Sequence, residues 1–240
     1  MLTGANRYDA LDVVSYAQVE PNLHVLDELV HLLTERAPIP EGEYAPALLH
    51  SNDFPSSTLP TGHLDRTLAS ERVAAIREAI RDVGTTHRGI SINYTHPRED
   101  TWGRTATEPD MIFSQAVMEH VDEVELEGTY KSLASLLAVG GVMSHQIDFR
   151  SHGFAPTWDG HWALSDRRWA LNRGRRRYAI NRQQLSQHIA LIERAGLSIV
   201  DIRRVFEQPT LKRHELAPQF RGSSDEDLST RSALVQAVKG

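Results

Sequence analysis

Strand-like and helix-like patterns of apolar residues alternate along this chain, and that alternation limits the folds open to it. Residues 7–14, Arg7-Tyr8-Asp9-Ala10-Leu11-Asp12-Val13-Val14, read as a short buried strand with an acid near its end. In residues 22–36, Leu26, Leu29, Val30 and Leu33 recur at helical spacing, with Pro21 suited to a first turn and Pro38 and Pro40 to a stop. A proline-rich loop over 38–60 separates this helix from a second one over 70–83. There Ser70 is the expected cap, Val73, Ile76, Ala79 or Ile80, and Val83 the stripe, and Gly84 the stop. Residues 90–94 and 110–114 are short strands, and 126–138 is a helix whose inward face is Tyr130, Leu133, Ala134 and Leu137. Gly140-Gly141 breaks it before a strand over 142–148.

Residues 149–181 are irregular and aromatic-rich. Asn181-Arg182-Gln183-Gln184 has the spacing of a capping box, with Asn181 as cap, opening a helix that closes at Gly196. Strands over 197–205 and 230–238 complete the chain. Alternation of this kind predicts the α/β class: a mostly parallel sheet with helices on both faces. Ligands of such sheets bind beyond the carboxyl ends of the strands. That directs attention to Asp12, Tyr94, Ser114-Gln115 and Asp148.

Composition removes several chemistries. Of the 240 residues none is cysteine, which excludes a disulfide framework, a thiolate zinc site and a cysteine nucleophile. The formal charge of −6 opposes general nucleic-acid binding, which needs clustered basic surface. The first residues have neither the basic nor the apolar part of a secretion signal, and no apolar run approaches the ~20 residues that span a bilayer. The expectation is a soluble, cytoplasmic protein with no membrane and no nucleic-acid partner; a homodimer is one arrangement open to it. No serine elbow or phosphate-binding loop is present.

The most specific segment is Asp110-Met111-Ile112-Phe113-Ser114-Gln115-Ala116-Val117-Met118-Glu119-His120-Val121, followed after one helix by Gly140-Gly141-Val142-Met143 and later by Gly196-Leu197-Ser198-Ile199-Val200. These residues resemble the fourth, fifth and sixth strands of class I S-adenosylmethionine-dependent methyltransferases, in which an acid opens the fourth strand and a Glu-His turn follows it. Val139 stands where that family has proline. The resemblance covers about residues 110–206, and 7–14 less fully. It implies a single Rossmann-like domain over 1–240 whose last strand is antiparallel. A helical and loop insertion would occupy about 20–88 and a lid about 149–181.

The resemblance also implies a cofactor, S-adenosyl-L-methionine, and a place for each part of it. Asp12 would receive the ribose hydroxyls, Tyr94 would stand beside the adenine, and Ser114 and Gln115 would present backbone to the cofactor. The family's glycine-rich turn, where the backbone must approach the amino-acid part closely, has no counterpart ahead of Asp12. Leu2-Thr3-Gly4-Ala5 looks like the end of the helix that should follow that turn, so the first strand, the loop and most of the first helix would be missing. A start codon assigned too late, a truncated gene and a rearranged fold are the three explanations.

Methyl transfer to oxygen or nitrogen requires loss of a proton from the acceptor. In Ser144-His145-Gln146-Ile147-Asp148-Phe149-Arg150-Ser151-His152-Gly153, strand alternation puts Ser144, Gln146 and Asp148 on one side and His145 on the other. His152 is the first candidate base, His145 the second, and Asp148 would orient either or bind substrate. The first reading includes no metal. Its rivals are a metal set of His145, Asp148, His152 and His161, as in a hydrolase, and plain hydrogen bonding within the loop. Arg167, Arg168, Arg173, Arg175, Arg176, Arg177 and Arg182 could hold an anionic small-molecule acceptor, or form a solvated face. A remnant that binds or regulates a partner without catalysis remains the alternative to an enzyme.

Overall fold

The computed structural model describes residues 1–12, 16–40, 51–95 and 108–240. Val13 and Val14 of the sequence expectations lie outside these residues, as do residues 41–50 of the expected loop over 38–60. The described residues up to Thr95 form one compact unit and those from Glu108 onward form another.

In the first unit β1 (Arg7–Leu11) pairs in parallel with β3 (Ile90–Thr95), and β2 (Thr86–His87) pairs antiparallel with β3. Parallel neighbours need a long crossover. Here it carries α1 (Val19–Thr34), α2 (Thr61–Thr67) and α3 (Ser70–Arg81). The core is built by Leu2, Leu26, Ala75, Ile76, Ala79 and Ile90, with Val30 and Leu33 against it. Leu29, expected in the inward stripe, is exposed, and Leu23 is buried in its place. Ser70 is the first residue inside α3, whose cap position is held by Ala69; Val83 lies past its end and is exposed. Residues 2–5 form a turn in which Gly4 N–H donates to Met1 O at 3.2 Å, and Leu2 enters the core. Arg72 holds this turn by donating to Met1 O, Ala5 O and Asn6 Oδ1.

The second unit has a sheet in the order β4 (Met111–Gln115), β5 (Val142–Asp148), β7 (Thr230–Lys239), β6 (Leu197–Phe206). β4 and β5 are parallel, while β7 runs antiparallel to both β5 and β6. Thus β4, β5 and β6 share one direction and only the last strand opposes them. Within this sheet the expectation of mostly parallel strands holds for direction, but among the described residues β4–β5 is its one adjacent parallel pair, because β7 enters between β5 and β6.

Packing follows the period-two alternation of β5. Met143, His145 and Ile147 face a core shared with α4 (Glu123–Leu136) and α6 (Leu185–Arg194). Ser144 and Gln146 point the other way and pair with Gln236 and Ser232 of β7, at 3.2 and 3.4 Å. All four inward residues expected for α4 are buried. Glu123 and Glu125 in its first turn favour its positive end. The strand after α4 requires Gly141: a Cβ there would stand 2.8 Å from Ala138 O.

Residues 149–181 are more ordered than their sequence suggests. They hold a short turn of helix, Gly160–Ala163, and α5 (Asp166–Arg173), capped by Ser165. Trp162 is 1% exposed and belongs to the core with Phe149. Asn181 is not the cap of α6. That position belongs to Gln184, which forms the capping box with Gln187, and Asn181 is committed elsewhere.

Candidate functional site

The carboxyl ends of β4 and β5 are adjacent because the strands are parallel and in register, Ser114 opposite His145 and Gln115 opposite Gln146. Beyond β4 the chain turns at Ala116 (φ 50°) into a single 3-10 turn, Met118–His120. Beyond β5, Asp148 leads to His152, also left-handed at φ 48°, and then Gly153. A non-glycine residue in that region costs of order 1 kcal/mol or more and persists only where its surroundings fix it.

Asn181 fixes the first turn. Its side-chain amide donates to Met118 O and Val121 O at 2.8 and 3.0 Å, and its backbone N–H to Glu119 O at 2.7 Å. The result places the Glu119 carboxyl inside the protein, 3% exposed, with neither oxygen hydrogen-bonded among the described residues. Burial, reinforced by the charge of Asp148, pushes its pKa up to about 7. His120 donates from Nδ1 to Tyr178 O at 2.7 Å; a carbonyl only accepts, so Nε2 keeps its lone pair.

On the other strand Asp148 is 2% exposed and is held by Arg150, whose Nε and Nη2 approach it at 3.0 and 2.7 Å. His152 Nε2 stands 3.5 Å from Asp148 Oδ2, and this carboxylate raises the pKa of the imidazole. The His120 and His152 rings meet edge to face, 5.0 Å between centroids. One donor atom each from Glu119, His120 and His152 lies within 4.8 Å of the others. This is the group among the described residues that could hold a metal ion. Its members differ from the set His145, Asp148, His152 and His161 named from the sequence. Glu119 and His120 carried a usable signal: an adjacent acid and imidazole at the end of a parallel strand.

His145 points away from this group. It is 1% exposed, its Nδ1 meets Ser114 Oγ at 2.7 Å, and burial lowers its pKa to about 4. It packs against Tyr130, whose hydroxyl pairs with His188 Nδ1 at 2.8 Å. His161 is fully enclosed and is lowered to about 3, mainly by desolvation. It lines a cavity of about 10 Å3 with Glu119, Asp148 and Arg182.

Beside that cavity opens a cleft of about 200 Å3 lined by Asp122, Trp169, Arg173, Ile180, Asn181 and Arg182. Arg173 pairs with Asp122 at 2.5 Å and holds its carboxyl below the usual range. Arg182 pairs with Asp166 at 2.8 Å and lies over the rings of Trp169 and Phe220. Arg176 lies over Phe154, while Arg167, Arg168, Arg175 and Arg177 are exposed.

In the first unit, Asp12 follows β1 and Tyr94 lies near the end of β3. Asp12 N–H donates to Thr95 O at 3.1 Å, and Tyr94 Oη donates to Asp12 Oδ2 at 3.1 Å. The two residues singled out at these strand ends are therefore hydrogen-bonded to each other. A carboxylate in this position has the chemistry to receive a ribose diol. No glycine-rich turn precedes it among the described residues.

No protein-family model matches the chain, and no curated protein matches it. Solved structures do. Among the solved structures that this fold resembles are S-adenosylmethionine-dependent methyltransferases. One from Mesorhizobium loti has 14% identity and a TM-score of 0.39 over 62% of this chain and 70% of its own. The N-methyltransferase NodS from Bradyrhizobium japonicum has 15% identity and a TM-score of 0.37, covering 69% of this chain and 67% of its own. A methyltransferase from Methanosarcina mazei has 12% identity and a TM-score of 0.42, over 70% and 76%. No helix of the described residues is long and apolar enough to cross a membrane.

Proposed function

We propose that this chain transfers a methyl group from S-adenosyl-L-methionine to an oxygen or nitrogen of a small-molecule acceptor in the cytoplasm. The observation that carries the reading is the second unit's sheet: β4 and β5 deliver Ser114-Gln115 and Asp148 to one end, and a single opposing strand inserts before β6. The Glu119-His120 turn follows the first of these strands, as the sequence resemblance requires.

When bound, the cofactor supplies an electrophilic methyl carried on a sulfonium. The chain's own residues supply position and proton transfer. Asp12 receives the ribose hydroxyls and Tyr94 flanks the base. Ser114 and Gln115 present the backbone of β4. The cleft beside Arg173 and Arg182 takes the acceptor, and an anionic group on it would have to exchange with Asp122 or Asp166 for these guanidiniums. His152, steadied by Asp148, is the group that accepts the acceptor's proton; His145, the second candidate from the sequence, is enclosed on the core face against Tyr130 and does not reach an acceptor. Orientation for in-line attack provides the larger part of the rate.

Calorimetry with S-adenosylmethionine tests this directly. Saturable binding that Asp12→Ala weakens at least tenfold, with an unchanged melting temperature, supports it. Absence of binding by the folded chain removes the enzyme and leaves a non-catalytic, partner-binding remnant.

A further inference from the structure

We infer that Glu119, His120 and His152 form a binding site for one divalent first-row transition cation, with Asp148 as the partner that orients His152. The first ground is the donor set. Two imidazoles and a carboxylate suit manganese, iron, cobalt, nickel or zinc better than magnesium or calcium, which favour all-oxygen shells.

The second ground is spacing. The three donor atoms lie within 4.8 Å of one another. Two donors on one ion at bonds of ~2.1 Å can stand at most ~4.2 Å apart. Small rotations of the two imidazoles therefore close the set around an ion.

The third ground is independent of proximity. Glu119 is 97% buried by its 3% exposure, and neither carboxylate oxygen has a hydrogen-bonding partner among the described residues. Buried polar groups are nearly always satisfied, and a buried carboxylate is satisfied by a proton donor or a cation. Here one carboxylate oxygen lies within 4.8 Å of an imidazole nitrogen from each of the two histidines, and the adjoining cavity of about 10 Å3 has room for little more than one ion or water.

The surrounding hydrogen bonds complete the arrangement. Tyr178 O takes the Nδ1 proton of His120 and so leaves Nε2 as the donor. Asp148 stands against His152 Nε2 at 3.5 Å, and Arg150 holds Asp148 in turn. Carbonyl and carboxylate partners of this kind fix ligand imidazoles in metal sites. Three protein donors leave open positions, which a water or an acceptor's hydroxyl oxygen can take. A cation on His152 occupies the nitrogen that would otherwise serve as base, so the loaded site acidifies a bound hydroxyl instead.

The test uses the full chain after chelator treatment, with no cofactor present. Titration calorimetry with zinc and with manganese(II), supported by the visible spectrum of the cobalt(II) form, is expected to show one cation per chain. Glu119→Gln, which keeps shape and removes charge, and His120→Ala should each weaken binding at least ~10-fold, and Asp148→Asn by ~10- to 100-fold. A thermal melt of each variant confirms folding, and the rise in melting temperature on adding metal should vanish in Glu119→Gln. Absence of binding by the folded wild type at millimolar metal overturns the site. So does binding that survives unchanged in both folded ligand variants. Because no cofactor is used, failure here leaves the methyl-transfer reading standing, and failure to bind S-adenosylmethionine leaves this site standing.

Discussion

Acidification from pH 7.5 to 5 should cost the second unit several kcal/mol through histidines that the core holds neutral. Burial lowers His145 to about 4, and His161 and His188 to about 3. In the unfolded chain each titrates near ~6.5. A depressed imidazole contributes stability above its unfolded pKa and loses it as pH falls below that value, because the unfolded state takes the proton first. At pH 5 each has lost about 2 kcal/mol, at 1.36 kcal/mol per pKa unit. Glu119 opposes them: its pKa, raised to about 7, lets the folded state bind a proton that the unfolded state releases until near pH 4.5. It returns about 2 kcal/mol over the same interval. His152, raised by Asp148, works in the same sense as Glu119. The net loss is about 4 kcal/mol, to which His120, lowered by burial, adds and from which His152 subtracts, a large part of the ~5–15 kcal/mol that stabilises a typical domain. Urea unfolding of chelator-treated protein at pH 7.5, 6 and 5 reads it directly. His188→Gln should be less stable at every pH, since its ring packs on Tyr130 and Phe149, but its slope between pH 6 and 5 should be shallower by about 1.4 kcal/mol per unit. Stability that stays level or rises on acidification, or an unchanged slope in the variant, would refute the assignment of these imidazoles as neutral.

Three further outcomes follow from single side chains. Asn181→Ala removes two side-chain donors to the Met118–Val121 turn and the acceptor for Gln183 N–H, and should cost about 2–4 kcal/mol by urea unfolding. Asp159, 1% exposed, accepts the backbone N–H groups of Thr210 and Leu211; Asp159→Ala leaves them unpaired and should cost about 2–4 kcal/mol, seen as a lower melting temperature. Tyr94→Phe removes the hydroxyl that donates to Asp12 and should weaken S-adenosylmethionine binding only severalfold, against at least tenfold for Asp12→Ala, both measured by calorimetry.

Much of the fold was legible because the strongest signals were periodic. Tyr130, Leu133, Ala134 and Leu137 recur at helical spacing and all are buried; the alternation of Ser144 through Asp148 gives the two faces of β5. What escaped had weak or ambiguous patterning. In α5 only Trp169 is buried, so no stripe announces the helix. Asn181 and Gln184 fit a capping box by spacing, but Gln184 and Gln187 fit as well, and the backbone oxygens of a turn sixty residues earlier decide between them. At the candidate site, Asp148 and His152 were readable together because they are near in sequence. Glu119 and His120 join them only through the parallel register of β4 on β5. Burial of His145 on the core side was likewise invisible until the helices packed on that face were known.

The attachment of Asn181 also has a kinetic side. The turn carrying Glu119 and His120 is too short to hold itself, and three of its carbonyls are bonded by one residue that follows α5. His120 in turn rests on Tyr178 O of that same stretch. Neither strip can open alone. In amide exchange, the protons of Asn181 and of the turn should therefore become accessible at one common rate, slower than fraying of α5, and a ligand that steadies either strip should slow both.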